Sequence, residues 1–218
     1  MLRFALFDID DTLYPPSSGL WDAIGERINL YMIQRLGLGP AEAAALRDHY
    51  FHSFGTTLNG LRLDYHINPE DYLAFVHDLP LADFIRPDPA LDGMLARLPL
   101  TTVAFTNADA PHAQRVLDRL GVTRRFARII DIHALGFINK PDPRAYARAL
   151  DLLSAHPEEC VFADDTLRNL LPAHASGMLT VWVTPKETTD GDRERVDYVI
   201  PDILALERVV AGLIGRRG

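Results

Sequence analysis

LRFALFDIDDTLY, residues 2–14, decides how the rest of the chain is read. Its first eight residues form an apolar run dense in Phe, Leu and Ile without alternation, the pattern of a strand buried on both faces of a parallel sheet. The run ends on three acids, Asp8, Asp10 and Asp11, and Tyr14-Pro15-Pro16-Ser17-Ser18-Gly19 then breaks any regular element. A buried strand that stops on carboxylates is the start of an α/β domain whose chemistry lies at the strand ends.

From there to about residue 85 no convincing strand follows. Leu20, Ile24, Ile28, Tyr31 and Met32 recur at helical spacing, and Gly37-Leu38-Gly39-Pro40 ends that helix. A second helix starts near Pro40, and Asn68-Pro69-Glu70-Asp71 reads as an N-cap, Pro at the first helical position and acids on the positive end of the dipole. After Arg86, strand and helix alternate. Asp88-Pro89 opens a helix before the strand TTVAFT (101–106), and Ala113, Val116, Leu117 and Leu120 form a helical stripe ending at Gly121. RIID (128–131), CVFA (160–163), LTVWV (179–183) and YVI (198–200) are the next strands, with helices capped by Asp142-Pro143 and carrying Leu167, Leu170 and Leu171 between them. A last helix runs through Ile203, Leu206, Val210 and Leu213. This rhythm predicts an α/β fold, a doubly wound parallel sheet formed by residues 1–14 and 86–218, with an inserted all-helical domain over 15–85.

The 218 residues suffice for a well-buried core, and 48% hydrophobic content excludes a disordered chain. Lys and Arg number 22 against 30 Asp and Glu, a net charge of −8 with no basic run, which argues against nucleic acid as a partner. No run of about 18 apolar residues is present, so no membrane span is expected. MLRFALFDID lacks the basic and long apolar regions of a signal peptide, and the single cysteine, Cys160, forms neither an internal disulfide nor a thiolate metal site. A cytoplasmic protein, monomer or homodimer, is expected.

In such sheets ligands bind beyond the carboxyl ends of the strands. Asp8, Asp10 and Asp11 follow the first strand, Thr106 and Asn107 the second and Asp131 the third; Lys140 lies in the next loop, and Asp164 and Asp165 follow the fourth. So many carboxylates converging on one Lys repel one another in a dry cleft unless a cation binds. Oxygen-only ligands favour a hard divalent ion, and a site that also holds phosphate favours Mg²⁺. Asp8 and Asp10, two apart on an extended chain, point to the same side. One can attack phosphorus while the other protonates the leaving oxygen; Thr106 and Asn107 can donate to phosphoryl oxygens, and Lys140 can neutralise their charge. Each group alone has a structural explanation as a turn, a cap or a surface lysine; their joint order along the strands is what points to a site.

DIDDTLY (8–14), FTN (105–107), Lys140-Pro141 and ADDT (163–166) resemble, in order and spacing, the four motifs of the haloacid dehalogenase superfamily of phosphotransfer hydrolases. The resemblance covers nearly the whole chain, and the helical insertion is similar to the family's C1-type cap. It implies that Asp8 forms an aspartyl-phosphate and that Asp10 is general acid and then base for water. It further implies that the Asp8 carboxylate, the Asp10 main-chain carbonyl and Asp165 hold Mg²⁺ with help from Asp164, and that Thr106 and Lys140 bind the phosphoryl group. FDIDDTLYP, FGTTLNGL (54–61), VHDLPL (76–81) and TNADAPHAQRVLDRLG (106–121) resemble the pyrimidine 5′-nucleotidase-like branch, which implies UMP and CMP as the small phosphomonoester substrates. Sugar phosphates and phosphoglycolate are the alternative substrates, and an inactive phosphate-binding module is the non-enzymatic alternative.

Within the cap, Phe51, His52, Phe54, Thr56 and Thr57 are candidates for a leaving-group pocket, with His52, Phe54 and Thr57 foremost; the alternative makes Phe51 and Phe54 cap core and His52 a surface residue. His112, one turn into the helix after Asn107, is a candidate to reach phosphate or cap. A dehalogenase reading is opposed by Asp10, since that branch lacks an acid there. A signalling receiver domain is opposed by the helical stretch before Thr106 and by the acidic pair after Lys140.

Overall fold

The computed structural model describes residues 1–215. Six parallel strands form one sheet: β1 (Phe4–Phe7), β2 (Thr101–Phe105), β3 (Phe126–Ile130), β4 (Cys160–Asp164), β5 (Leu179–Val183) and β6 (Tyr198–Ile200). Their order is β3-β2-β1-β4-β5-β6. All neighbouring pairs are parallel, so β1 lies between β2 and β4 with Phe7 opposite both Ala104 and Ala163. The chain first winds outward from β1 to β3, then crosses back to β4. The crevice where the winding direction reverses therefore lies beyond the ends of β1, β2 and β4.

Burial explains why these segments read as continuous apolar runs. Along β1, Ala5 and Phe7 enter one core layer and Leu6 the other; along β4, Val161 and Ala163 enter the first and Cys160 and Phe162 the second. One layer is closed by α5 (Pro89–Arg97), α6 (Ala110–Leu120) and α10 (Leu206–Gly215) through residues such as Leu91, Val116 and Leu206. The other is closed by α7 (Pro143–Leu153) and α8 (Leu167–Ser176) through Tyr146, Leu150 and Leu170. With both faces covered, β1 and β4 have no exposed face to show, whereas the edge strand β3 leaves Ala127 and Arg128 exposed. The short α9 (Asp190–Arg193) precedes β6.

Between β1 and α5 lie four helices and no strand: α1 (Leu20–Leu36), α2 (Pro40–Phe54), α3 (Thr57–Asp64) and α4 (Pro69–Val76). They share an apolar cluster of their own that includes Tyr31, Met32, Tyr50, Leu61 and Tyr72, with Ile132 from the sheet side. Helix ends follow local chemistry. The Asn68 side chain accepts from the Asp71 N–H, Asp88 accepts from the Ala90 and Leu91 N–H groups, and Gly121 closes α6 at φ 79°.

Several boundaries differ by a residue or two from the sequence reading. β3 ends at Ile130, and Asp131 lies just beyond it, where its carboxylate accepts from the Ala110 and Ala134 N–H groups. The last helical segment begins as a 3₁₀ turn, Ile203–Ala205, before α10. Among the described residues, no helix is long and apolar enough to cross a membrane.

Candidate active site

The crevice is organised by Lys140, whose side chain is 1% exposed. Its Nζ donates to Asp8 Oδ1, Asp164 Oδ2 and the Phe105 carbonyl, each at 2.8 Å, so all three ammonium hydrogens have acceptors from the ends of β1, β4 and β2. Burial opposes its charge, but Asp164 and Asp8 hold the Lys140 pKa above the usual lysine value. The loop that carries Lys140 is fixed in turn by Asn107, which accepts from the Lys140 N–H at 2.8 Å and donates to the Lys140 carbonyl at 3.0 Å.

Asp8 follows β1 directly, and its N–H continues the ladder to the Ala163 carbonyl at 2.9 Å. Burial, with Asp164 and Asp10 nearby, raises its carboxyl pKa against the pull of Lys140. Asp164 is fully buried and saturated: Oδ2 takes Lys140, and Oδ1 takes the Thr166 N–H at 2.8 Å and the Asn169 side chain at 3.1 Å. Asp165 is freer. It has the Thr12 and Thr166 hydroxyls at 3.3 Å, and burial plus the charges of Asp164 and Asp8 raises its pKa. Oxygen atoms of Asp8, Asp164 and Asp165 lie within 4.8 Å of one another.

Asp10 faces the same cavity but is tuned oppositely. Its Oδ1 accepts from the Tyr14 hydroxyl at 2.6 Å and lies 2.9 Å from His112 Nε2. Burial opposes ionisation, yet His112 and Tyr14 hold the Asp10 carboxyl down to about 2. Between Asp10 and the next turn, Asp11 adopts φ 59° and swings the chain back toward Thr12. Burial, then Asp10 and Asp22, push Asp11 up to about 6. An all-oxygen set of carboxylates suits a hard divalent cation; the Asp10 main-chain carbonyl accepts no backbone hydrogen bond among the described residues.

The sequence-derived residues thus converge in part. Asp8, Asp10, Thr106, Asn107 and Asp165 line one cavity of about 500 Å³, with Lys140 and Asp164 directly beneath. Thr106 Oγ1 accepts from the Ala108 N–H at 3.0 Å, leaving the hydroxyl hydrogen for a ligand. Asn107 lines the cavity while its side chain also grips the Lys140 backbone. Asp131 is a helix-cap and turn acceptor outside the cavity.

In the cap, Thr57 is buried, lines the cavity and donates to the Arg47 carbonyl. His52 is largely exposed at the rim, with Nδ1 2.8 Å from the Asp48 carbonyl. Phe54 lies edge-on to Tyr50 and faces a second cleft beside Pro141 and Arg144, away from the acids. The cavity roof is instead formed by residues the sequence reading passed over, among them Trp21, Arg47 and Tyr72, together with Phe51. A helical Trp or Arg reads as core or surface until the fold shows what lies opposite.

Cap and sheet are joined across the cavity mouth. Arg168 of α8 donates to the Phe51 carbonyl at 2.7 Å and the Gly55 carbonyl at 3.0 Å while lying over the Phe51 ring. Asn139 donates to the Phe54 carbonyl at 3.1 Å and accepts from Asn59. Arg115 of α6 donates to the His77 and Leu79 carbonyls at 2.8 and 2.6 Å.

Comparison with known proteins agrees with the fold. The chain is 30% identical over 188 residues to phosphate metabolism protein 8 of Saccharomyces cerevisiae, covering 79% of this chain and 58% of that protein, so it spans less than two-thirds of that relative. It is 27% identical to the glyceraldehyde 3-phosphate phosphatase of Methanopyrus kandleri over 93% of this chain and 92% of that one. In fold it resembles a HAD phosphatase from Thermococcus onnurineus, with a TM-score of 0.66 at 18% identity, covering 97% of this chain and 99% of that one. It also resembles the L-2-haloacid dehalogenase of Xanthobacter autotrophicus, with a TM-score of 0.63 at 19% identity, covering 98% and 100%. The family model for haloacid dehalogenase-like hydrolases matches residues 2–177, and the chain belongs to that family.

Proposed function

We propose that this chain is a Mg²⁺-dependent phosphomonoester hydrolase that works through an aspartyl-phosphate on Asp8. The observation that carries the reading is the placement of two carboxylates with opposite tuning on one cavity. Asp8 is held by Lys140 at its Oδ1 and keeps Oδ2 for attack, while Asp10 stands beside it as the proton-transfer group. An acid at position 10 also separates this chemistry from dehalogenation, where no leaving oxygen needs a proton.

Asp8, the Asp10 main-chain carbonyl and Asp165 would hold Mg²⁺, with Asp164 acting through its hydrogen bond to Lys140. The ion, when bound, would offset phosphoryl charge beside the nucleophile. Lys140 orients Asp8 and adds its own positive charge, and the Thr106 hydroxyl donates to a phosphoryl oxygen. A phosphate dianion in the cavity raises the proton affinity of Asp10, which then protonates the leaving oxygen and afterwards takes a proton from the attacking water. Residues 15–85 act as the cap, which excludes water and reads the leaving group.

For the substrate, the pyrimidine nucleotides UMP and CMP are the favoured reading. The cavity extends from the acids to Trp21 and Phe51, whose ring centres lie 6.5 Å apart, and an aromatic roof suits a planar base. A smaller phosphometabolite is the second reading, favoured by the similarity to the Methanopyrus glyceraldehyde 3-phosphate phosphatase over nearly both whole chains. A cytoplasmic setting goes with a buried, unpaired Cys160.

The test is phosphate release with Mg²⁺ from UMP, CMP, AMP, GMP, glyceraldehyde 3-phosphate, sugar phosphates and phosphoglycolate. Asp8→Asn serves as the inactive control, and a parallel series contains excess EDTA. Selective release from UMP and CMP supports the nucleotidase reading. Preference for the smaller esters moves the assignment to them. Activity in Asp8→Asn or in EDTA rejects the mechanism.

A further inference from the structure

Asp10 receives two hydrogen-bond donors on a single oxygen. Tyr14 is 4% exposed, and its hydroxyl donates to Oδ1 at 2.6 Å. His112, at the start of α6, has a fully buried side chain with Nε2 2.9 Å from the same Oδ1. A carboxylate oxygen only accepts, so Nε2 carries a hydrogen and donates to it, while Nδ1 has no partner among the described residues. Oδ2 accepts no hydrogen bond among the described residues, and Asp10 lines the cavity. Behind His112, the ring of His77 stacks at 4.1 Å and 18°, with its own Nδ1 2.9 Å from Asp109 Oδ1. His77 follows the last cap helix, and Arg115 holds its carbonyl.

We infer that Tyr14 and His112 are positioning residues for Asp10: by occupying Oδ1 together they leave Oδ2 to carry the transferable proton toward the leaving group, with His77 bracing the His112 ring from the cap side. The inference rests on the phosphohydrolase reading and adds how its acid–base group is aimed. As the Asp8 oxygen bonds to phosphorus, the bond from phosphorus to the leaving oxygen breaks and its electron pair stays on that oxygen. The Oδ2 proton moves to it, and the alcohol departs neutral. Water then attacks the aspartyl-phosphate, gives a proton to the same Oδ2, and releases phosphate with Asp8 and Asp10 restored. A carboxyl free to rotate would divide its proton between two oxygens, only one of which faces the substrate.

A leaving-group comparison tests this. Esters with poor, alkoxide leaving groups need the proton; p-nitrophenyl phosphate, whose phenolate leaves unaided, does not. The ratio kcat/KM reports steps through alcohol departure, so later water attack, common to both, does not mask the difference. In the full chain with Mg²⁺, Tyr14→Phe and His112→Ala are expected to lower kcat/KM for the best alkyl phosphate about 10- to 100-fold, and that for p-nitrophenyl phosphate by less than about threefold. His112→Gln, whose amide N–H reaches a similar point, is expected to recover most of the alkyl rate. Tyr14→Phe keeps the ring and its packing, so it remains informative if His112→Ala does not fold. Equal losses on both substrates, or no loss on either, overturn the positioning roles while leaving the hydrolase reading intact. A wild-type chain inert toward both esters overturns the hydrolase reading and this inference with it.

Discussion

At the scale of single residues, the site is held by one lysine serving two acids. Lys140 neutralises Asp8 and Asp164, neither of which has another cationic partner within ion-pair distance among the described residues. Breaking a buried ion pair by removing one partner leaves an uncompensated charge and is typically destabilising by about 3–5 kcal/mol. Lys140→Met is therefore expected to lower the thermal midpoint markedly and to abolish phosphate release. Adding Asp164→Asn removes one of the stranded charges, so the double variant is expected to melt above the single one while staying inactive. Calorimetry on the pair decides the matter: a double variant no more stable than Lys140→Met would mean that Asp164 is not what Lys140 compensates. Asn107 belongs to the same assembly. Its residue type was readable as polar at a strand end, but its partner was not, because the Lys140 backbone, 33 positions further along, approaches it only once the intervening chain has folded.

At the scale of elements, cap and sheet meet at a glycine. Gly55, at the end of α2, has φ 81°, and a Cβ there would lie 2.8 Å from the Lys140 carbonyl oxygen and 2.9 Å from Pro141 Cδ. Gly55→Ala is thus strained twice, by conformation and by contact with the loop that aims Lys140. It is expected to destabilise the chain by about 1–3 kcal/mol and to lower kcat/KM at least about tenfold. Arg168→Ala removes the two hydrogen bonds to cap carbonyls without touching the acids. Charge-assisted bonds of this kind are worth about 1.5–3 kcal/mol each, so a KM increase of about tenfold with a smaller change in kcat is expected from steady-state kinetics. An unchanged KM would show that the cap stays closed by other means. These contacts also mark how far the sequence could be read. Asp88-Pro89, Asn68-Pro69 and the apolar run 4–7 act within a few residues, so strands, helix starts and the four strand-end motifs were legible. His77 and His112 come together beside Asp10 from two distant segments, and Trp21 and Arg47 reach the cavity only through helix packing. No local pattern encodes such meetings, which is also why Phe54 reads as a pocket residue and proves to face the other cleft.

At the scale of the whole molecule, the acidic crevice links stability to pH and to metal. Burial and mutual repulsion raise the pKa values of Asp8 and Asp165 above the ordinary value of 3.8. A raised native pKa means that the folded state holds its proton more tightly than the unfolded one. Stability from these groups is then intact below about pH 4 and declines as the pH climbs toward neutrality, where folding must bury charges that repel. A divalent cation reverses the sign by favouring the ionised form, and binding only the folded state adds about 2.7 kcal/mol at a hundredfold excess over Kd. Scanning calorimetry without metal is accordingly expected to show a midpoint that falls between about pH 4 and 8, and millimolar Mg²⁺ is expected to restore most of it at the upper end. The net charge of −8 produces a similar trend by general self-repulsion, so the slope alone does not identify the crevice. Asp165→Asn separates the two, since it changes the net charge by one unit but removes the crevice carboxylate with the longest hydrogen bonds. That variant is expected to flatten the metal-free slope and to lose the Mg²⁺ response together. A variant that keeps the wild-type Mg²⁺ shift would place the cation elsewhere on the chain.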